Sequence, residues 1–550
     1  MRISTIRLAL LLVGWVPLAA AQEVVHDDPG TAEASIPAPE ELEQAGAVIG
    51  RVIIDKQNVF DTSKPGENNA FYRLANRWHV VTRDRIIEQQ LLFQSGDRFS
   101  KRLLEESERL LRLNSYLYDA RITPVRYEDG VVDIRVWTRD VWTLLPGFSI
   151  ARSGGENRSR VELSESNFLG YGFKLRLSYA ENVDRDTASF QYFDNQLGNT
   201  WWSGFFDYAD ASDGGTTHAR LIRPFYALDA RWSAGAILFD DEREVSFFEL
   251  GNEVAEYKVN RDSHSAFWGW SAGLRDNWVT RWTTGVVYDD RDFSAVPNGQ
   301  FTPLVPEDRR LVYPFIGIGV LENDFHTANN RDQIERTEDF FMGTSFNARL
   351  GFASEGFGSD RDAVIYSMGA NASYGAIEKK ALFLSSQLSG RFEGGDSVNT
   401  KLDMQARYYN QINDKRLMFF TLEASWGNDL DLDNLVDLGG DTGLRGYPLR
   451  YQTGESKILL TAEQRYFTDW YPFRLFRVGG AIFADIGRTW GDNPAGGPPL
   501  GWLKDVGIGL RLGPTRSTGR EVVHIDIAFP LDGDPSIDDV QFLIESKSSF

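Results

Sequence analysis

A glycine-rich segment and two later acidic residues form the part of the sequence with the clearest chemical potential. The segment at 438–447 reads LGGDTGLRGY and carries Arg445, while Glu463 and Asp485 follow further along the chain. Each acid falls on the polar side of a stretch in which polar and apolar residues alternate, as in a β-strand with two different faces. An arginine that reached these carboxylates would form charge-assisted hydrogen bonds, which are stronger than bonds between neutral groups. The alternation therefore lets an arginine that folds inward pair with one or both of these acids.

We expect the resulting cluster to comprise Arg445, Gly446, Tyr447, Glu463 and Asp485. If the alternating strands close into a barrel, both acids face the lumen, and the glycines beside the arginine let the loop turn inward. Loss of one partner would leave a poorly compensated charge in a partly desolvated interior. The cluster either takes part in function or serves as a structural lock that fastens a long loop, and the two roles are compatible.

The last strands favour a barrel. In the final segment Val540 and Phe542 share one face, while Gln541 and Glu545 share the other. In a transmembrane barrel, this alternation places the apolar face on lipid and the polar face in the lumen. A soluble sandwich shows the same alternation, with its apolar face in a core.

The two ends of the chain indicate export to a membrane. Residues 1–21 match a secretory signal peptide, with basic residues, a short apolar run and a small-residue cleavage site. No later stretch approaches the run of about 20 apolar residues that a membrane helix needs. With 13% aromatic residues and 51 glycines, these features predict a Gram-negative outer-membrane protein, or alternatively a secreted soluble β protein. Phe550 is either an end signal read by the cell's barrel-assembly machinery or an ordinary lipid-facing aromatic residue.

Composition argues against several other classes of function. The absence of cysteine excludes disulfides and thiolate sites, and the net charge of −21 argues against a nucleic-acid partner. Asp429, Asp431 and Asp433 resemble the start of a calcium-binding loop, but later positions lack the required Gly and Glu, so a solvated acidic loop is expected. Ser271 lies in a G-x-S-x-G pattern whose alternation indicates a strand and not a nucleophile turn. We expect no enzyme activity, no catalytic residue, no cofactor and no metal site.

The pattern of the chain changes twice. Residues 22–46 are rich in Ala, Pro and Glu and predict a flexible lead-in. Residues 47–140 predict a small α+β domain in the order β-α-α-β-β, with helices at 83–92 and after Ser100. Residues 141–550 form a succession of alternating segments separated by turn residues, and roughly 18 to 20 of these segments are candidate strands. The chain is therefore predicted to be mainly β.

Two resemblances give these domains a family context. Residues 47–140, with the central sequence LLFQSGDRFSKRLLEESERLLRLNSYL, resemble a POTRA domain, the periplasmic module that precedes certain outer-membrane barrels. The motifs GLRGY, AEQRYF and AIFADIGRTW, with a terminal Phe, resemble the BamA/TamA superfamily of assembly and translocation barrels, of the bacterial surface antigen type. The resemblance implies an antiparallel transmembrane barrel of 16 strands. It also implies that Arg445 enters the lumen and contacts Glu463 and Asp485. One POTRA-like domain is fewer than family members usually carry.

The resulting functional hypothesis is a barrel that inserts or translocates proteins, or alternatively lipids, across the outer membrane. The expected partners are outer-membrane lipid and lipopolysaccharide, and a periplasmic client polypeptide that binds the POTRA-like domain as a strand added to a sheet edge. The resemblance further implies that the seam between the first and last strands opens. The alternative is a passive channel for small solutes. A third hypothesis, that the protein is an outer-membrane lipase, would rest on Ser271 alone.

Overall fold

The computed structural model describes residues 36–547, except residues 298, 495, 498, 499, 519, 520 and 536. The predicted signal peptide at 1–21 and Phe550 lie outside the described residues, as does the first part of the predicted lead-in at 22–46. The described part of that lead-in contains a short helix whose Leu42 is fully buried. It differs from a flexible linker because this leucine packs into the core of the first domain.

The first domain is a three-stranded sheet covered by helices. Its elements are α1 (Pro39–Gln44), β1 (Val48–Gln57), α2 (Ala70–Trp78), α3 (Asp84–Glu88), α4 (Lys101–Arg112), β2 (Leu117–Glu128) and β3 (Val131–Asp140). The strand order is β1-β3-β2, with β1 parallel to β3 and β2 antiparallel to it. Asp129 and Gly130 both have positive φ, as a two-residue turn between antiparallel strands requires. The apolar residues of α3 and α4 pack against this sheet.

One helix of this domain has no counterpart in the sequence prediction. Phe71, Leu74 and Trp78 on helix α2 share one face, at helical spacing, but all three are exposed, so this apolar stripe adds nothing to the core of the domain. The helix is held by Tyr72, whose ring stacks on Phe60 at 4.2 Å between ring centres. Helix α3 is also shorter than the predicted helix at 83–92.

The second domain is a closed barrel of 20 antiparallel strands. Its strands are β4 (Leu144–Ser153), β5 (Glu156–Glu165), β6 (Phe173–Glu181), β7 (Asp186–Asp194), β8 (Ser203–Ala211), β9 (Gly214–Arg223), β10 (Trp232–Glu249), β11 (Asn252–Arg275), β12 (Trp278–Ser294), β14 (Arg309–Glu322), β17 (Ser345–Ala353), β18 (Ala363–Ala376), β19 (Lys380–Glu393), β20 (Asp396–Asn413), β21 (Arg416–Asn428), β24 (Ser456–Phe467), β25 (Phe476–Trp490), β26 (Leu503–Pro514), β27 (Val522–Pro530) and β28 (Gln541–Lys547). Short strands accompany the wall: β13 (Thr302–Pro303) beside β11, and the pairs β15 (Phe325–Ala328) with β16 (Glu338–Phe341) and β22 (Val436–Leu438) with β23 (Gln452–Gly454).

The expectation of 16 strands is therefore wrong, because the barrel has 20. That expectation came from the family resemblance, whereas the count of roughly 18 to 20 alternating segments includes the observed number. In the structure, β4 to β9 have only 9 or 10 residues each, whereas β11 has 24. The short strands are joined by short turns, so more of them fit into the first part of the barrel.

The predicted alternation of faces holds in the barrel wall. On β27, His524 and Asp526 are buried in the lumen, while Phe529 on the outer face is 41% exposed. Trp268, Trp270 and other large apolar residues are likewise exposed on the outside of the wall. Across the described ranges, no helix is both long enough and apolar enough to cross a bilayer.

Connections alternate between two ends of the barrel. We call the end beside the first domain the near mouth and the opposite end the far mouth. Because β4 starts next to the first domain, the loop at 429–455 lies at the far mouth, and the loop at 323–344 lies at the near mouth. Both of these loops fold into the barrel.

Candidate functional site

The segment with Arg445 lies in the loop at 429–455, which we call the arginine loop. Its two arms pair as the strands β22 and β23, and the chain between them forms a compact tip. In this tip the Gly440 N–H donates to the Pro448 carbonyl at 2.9 Å. Leu444 and Tyr447 are fully buried, so the tip is packed against the lumen wall and is not exposed to solvent.

Arg445 makes an extensive set of buried ion pairs. Its Nε and Nη2 donate to the two carboxylate oxygens of Asp485 at 2.7 and 2.9 Å, and its Nη1 donates to Glu463 at 2.7 Å. The guanidinium also lies 3.4 Å from the centre of the Phe483 ring, a geometry that favours a cation over an aromatic face. The structure thus brings together the arginine and the two acids that the sequence singled out.

Gly446 and Tyr447 hold the loop backbone against neighbouring strands. The Gly446 N–H donates to Asp505 at 2.9 Å. A Cβ atom at this glycine would lie 2.5 Å from the Cβ of Asp505, so a larger residue cannot approach the wall so closely. The Tyr447 hydroxyl donates to Asp532 at 2.6 Å and accepts from the Lys504 N–H at 3.0 Å. We call Arg445, Gly446, Tyr447, Glu463 and Asp485 the lumen lock.

Sequence reasoning missed four charged residues that complete the lock. Arg465 donates to Glu463 at 2.9 Å, and Arg511 donates to Asp526, whose carboxylate lies 3.9 Å from Arg445. Asp505, which accepts from Gly446, is the fourth. The alternation of residues along each strand already placed all four on lumen faces. It did not show that their side chains meet at one point in the lumen.

The charges in the lock are nearly balanced. Three arginines (Arg445, Arg465 and Arg511) meet four acids (Glu463, Asp485, Asp505 and Asp526), and each of these side chains is at most 6% exposed. Burial by itself lowers the pKa of Arg445, but the carboxylates of Asp485 and Glu463 hold that pKa well above its usual value. The loop arginine therefore stays charged at any physiological pH.

A second loop, at 323–344, enters the barrel from the near mouth. Its Ile334 packs among Tyr409, Leu417 and Phe419 of the wall. Arg465 of the lock also donates to the Arg331 carbonyl of this near-mouth loop at 2.9 Å. Glu463 and Arg465 thus connect the arginine loop, through the wall, to the near-mouth loop.

The near-mouth loop is bound to the first domain as well. Arg112 on α4 forms two hydrogen bonds with the carboxylate of Asp339, at 2.8 and 2.6 Å. Arg336 donates to the Leu117 carbonyl of β2 at 2.8 Å. A continuous series of polar contacts therefore runs from the far-mouth loop to the first domain.

The barrel closes at a weak seam between its first and last strands. Within the described residues, β28 and β4 share one registered pair, Ile544 with Arg152. The first domain holds both sides of this seam. On one side, Arg516 in the turn between β26 and β27 donates to the Val59 carbonyl at 2.8 Å. On the other side, Asn167 in the turn between β5 and β6 donates to Thr82 at 2.8 Å.

Two other sequence patterns take different roles in the structure. The Ser271 hydroxyl lies within strand β11 and donates to the Thr280 carbonyl at 2.8 Å. Asp431 and Asp433 are not in a solvated loop, because both form buried ion pairs with lumen arginines. The partners come from strands far away in sequence, so the acidic run alone could not predict them. Among the described residues, no cluster of His, Cys, Asp and Glu is arranged to hold a metal ion.

No protein-family model and no curated protein matches this chain. Solved structures with a similar fold include BamA from Haemophilus ducreyi lacking POTRA domains 1–3, with 15% identity, a TM-score of 0.37, and coverage of 90% of this chain and 84% of that one. They also include CdiB from Acinetobacter baumannii (11% identity, TM-score 0.42, 91% and 74% covered) and CdiB from Escherichia coli (12%, 0.35, 94% and 92%).

Proposed function

We propose that this protein is an outer-membrane barrel that inserts or translocates polypeptides, with its first domain in the periplasm and its seam as the place that opens. The observation that carries the proposal is the position of the first domain. It binds the turns on both sides of a seam that has one registered pair within the described residues. A client that moves this domain would therefore pull directly on the weakest joint of the wall.

The client is proposed to enter at the first domain. Strand β2 is an edge of the sheet, and sheet edges can accept an extended peptide as an additional strand. The start of this edge is already used, since Glu108 accepts from the Ile122 N–H at 3.0 Å and Arg112 donates to the Ala120 carbonyl at 3.1 Å. A client strand would add to the part beyond the irregularity at Pro124–Arg126, residues 126–128, because Pro124 has no N–H to donate. No covalent bond is made or broken in this process.

Membrane insertion follows from the two faces of the wall. The outer face exposes tryptophans and aliphatic residues, whereas the lumen face buries charged groups. Such a surface suits lipid on the outside and polar cargo or loops on the inside. The far-mouth loops would then meet the lipopolysaccharide leaflet.

The test compares the outer-membrane and secreted proteomes of cells with and without this protein. We expect one or a few polypeptides to disappear from the outer membrane or medium, and to return when the gene is restored. Unchanged proteomes combined with impaired uptake of a small solute would contradict the proposal.

The second candidate is a passive channel, which the wide closed barrel favours. The two loops in the lumen oppose it, because they occupy the path that a solute would take. Planar-bilayer recordings distinguish the two. Small, flickering currents that change in Arg445→Ala agree with a gated translocator, while large steady currents that this substitution leaves unchanged indicate a channel.

A further inference from the structure

The first arm of the arginine loop carries a charged segment that the lumen lock does not use. This acidic limb, residues 429–435, reads DLDLDNL. The side chains of Asp431 and Asp433 are only 12% and 9% exposed. Burial of two carboxylates requires compensating positive charge, and the lumen wall supplies it.

Three arginines from three different strands bind these acids. Arg391 on β19 forms two hydrogen bonds with the Asp431 carboxylate, at 2.5 and 2.8 Å. Arg309 on β14 and Arg291 on β12 bind Asp433 at 2.7 and 2.8 Å. Guanidinium groups of this kind recognise carboxylates with defined geometry.

The arginines of this part of the wall are balanced only while the limb is in place. Asp289 pairs with Arg291 and Glu393 pairs with Arg391, so removal of Asp431 and Asp433 would leave an excess of positive charge. A cavity of about 270 Å³ adjoins the limb, and its charged lining residues are Arg291, Arg309, Arg349, Arg391 and Asp289. Arg349 stacks over the Phe315 ring at 4.3 Å. It is exposed to the lumen and has no ion pair within the part of the chain that is described. We call these four arginines the arginine wall; Glu393, which also pairs with Arg391, lies beside them.

The apolar residues of the limb bind to a separate patch of the barrel wall. Leu432 and Leu435 pack against an aromatic and aliphatic cluster that includes Phe247, Tyr257 and Phe293 of β10, β11 and β12. The limb therefore docks with its carboxylates on the arginines and its leucines on this cluster. Both halves of the site face the lumen, not the outer surface of the barrel.

We propose that the arginine wall and the adjoining apolar cluster bind acidic segments of the translocated polypeptide, and that the acidic limb occupies this site as an internal substitute. This inference rests on the proposed function for its ligand. A polypeptide is favoured over a lipid phosphate because the occupant in the structure is a peptide whose carboxylates alternate with leucines. Displacement of the limb by a client would also release the first arm of the arginine loop.

The experiment measures peptide binding to the full-length protein in lipid nanodiscs. The probe is a fluorescent peptide with the sequence of residues 428–436, and the control peptide has Asn at its three Asp positions. A tethered segment competes at a high effective concentration, so we expect the D431N/D433N variant to bind the acidic probe about tenfold more tightly than wild type. The control peptide should bind neither protein.

Variants of the arginine wall test the binding site itself. In the D431N/D433N background, R309Q/R391Q should abolish probe binding, with retention of heat-modifiable migration as the check on folding. If that protein does not fold, Arg349→Gln still tests the site and should weaken binding about threefold. The matched control is Arg220→Gln, a lumen arginine on β9, which should have no effect.

Two outcomes would overturn the inference: absence of probe binding in D431N/D433N, or probe binding that Arg349→Gln leaves unchanged. Because the assay needs no client, its failure leaves the proteome test of translocation unaffected.

Discussion

The joint between β10 and β11 and the joint between β28 and β4 lie in one wall but differ greatly in length. Each of the 18 residues of β10 has a registered partner in β11. Within the described residues, β28 and β4 share a single registered pair. Both joints use the same alternation of apolar and polar residues, so strand length and register make the difference. Because backbone hydrogen bonds hold a barrel closed, we expect the wall to open first at the seam.

A proline in each joint gives the largest expected contrast. Ala236 on β10 is registered with both neighbouring strands, whereas Ile150 on β4 is registered with β5 alone. Proline removes a ladder hydrogen bond, which costs several kcal/mol where no water can replace it. We expect Ala236→Pro to prevent barrel formation and Ile150→Pro to leave a folded barrel. Heat-modifiable migration on gels measures this, and equal damage from both substitutions would contradict the contrast.

Arg445→Ala should have the next largest effect, because it leaves the Glu463 and Asp485 carboxylates buried without their partner. Breaking such a cluster costs about 3 to 5 kcal/mol. Urea unfolding in lipid vesicles measures the loss, and Arg445→Lys should recover part of it. Arg450→Ala is the matched control, since its partner Asp184 is 40% exposed. If both alanine variants unfold alike, the lock contributes no more than a surface ion pair.

The contact of the first domain with the seam predicts a smaller change. Arg516→Ala removes hydrogen bonds to the Val59 carbonyl and to Glu67, each worth about 1.5 to 3 kcal/mol for a charged donor. We expect faster hydrogen exchange in β4 and β28, with no change in β10 and β11. Arg126→Ala serves as the control because its pair with Glu128 is exposed. Faster exchange in all four strands would show that the domain does not act on the seam specifically.

The most localised predicted effect is a dependence on pH in the near-mouth loop. Burial, together with the nearby Asp332, raises the pKa of Glu338 from 4.5 to about 8. The folded loop therefore binds this proton more tightly than the unfolded chain does. The resulting stability is present below pH 4.5 and is lost as the pH rises towards 8. Protection factors in β15 and β16, which correct for the intrinsic acceleration of amide exchange with pH, should fall over this range, and Glu338→Gln should remove the fall. The seam should not respond, and a parallel response there would contradict the separation of the two regions.

Local alternation predicted the inward faces of the barrel. The alternation of polar and apolar residues placed Glu463 and Asp485 on the lumen side, and the glycines around Arg445 indicated a tight turn. The structure brings these side chains within hydrogen-bond distance of each other. This prediction was possible because a strand places every second residue on the same face, whatever the rest of the barrel does.

Features that depend on distant parts of the chain were not predictable. The number of 16 strands came from the family resemblance and was wrong, whereas the alternating segments themselves gave roughly 18 to 20 candidates, a range that includes the observed 20. The pairing of Asp431 with Arg391 and of Asp433 with Arg309 requires knowing which loop enters the lumen. The near-mouth loop was missed for the same reason, because its sequence has no periodicity and its partner Arg465 is far along the chain.

The most direct test of the account locks the seam with a disulfide. The chain has no cysteine, so R152C/I544C introduces a single crosslink at the one registered pair described across the seam. The control S149C/R160C joins β4 to β5 without crossing the seam. The readout is the amount of each polypeptide that depends on this protein in the outer membrane or medium. The account predicts that delivery stops when R152C/I544C is oxidised, returns on reduction, and continues in the oxidised control. Full delivery with the seam locked would contradict opening at the seam.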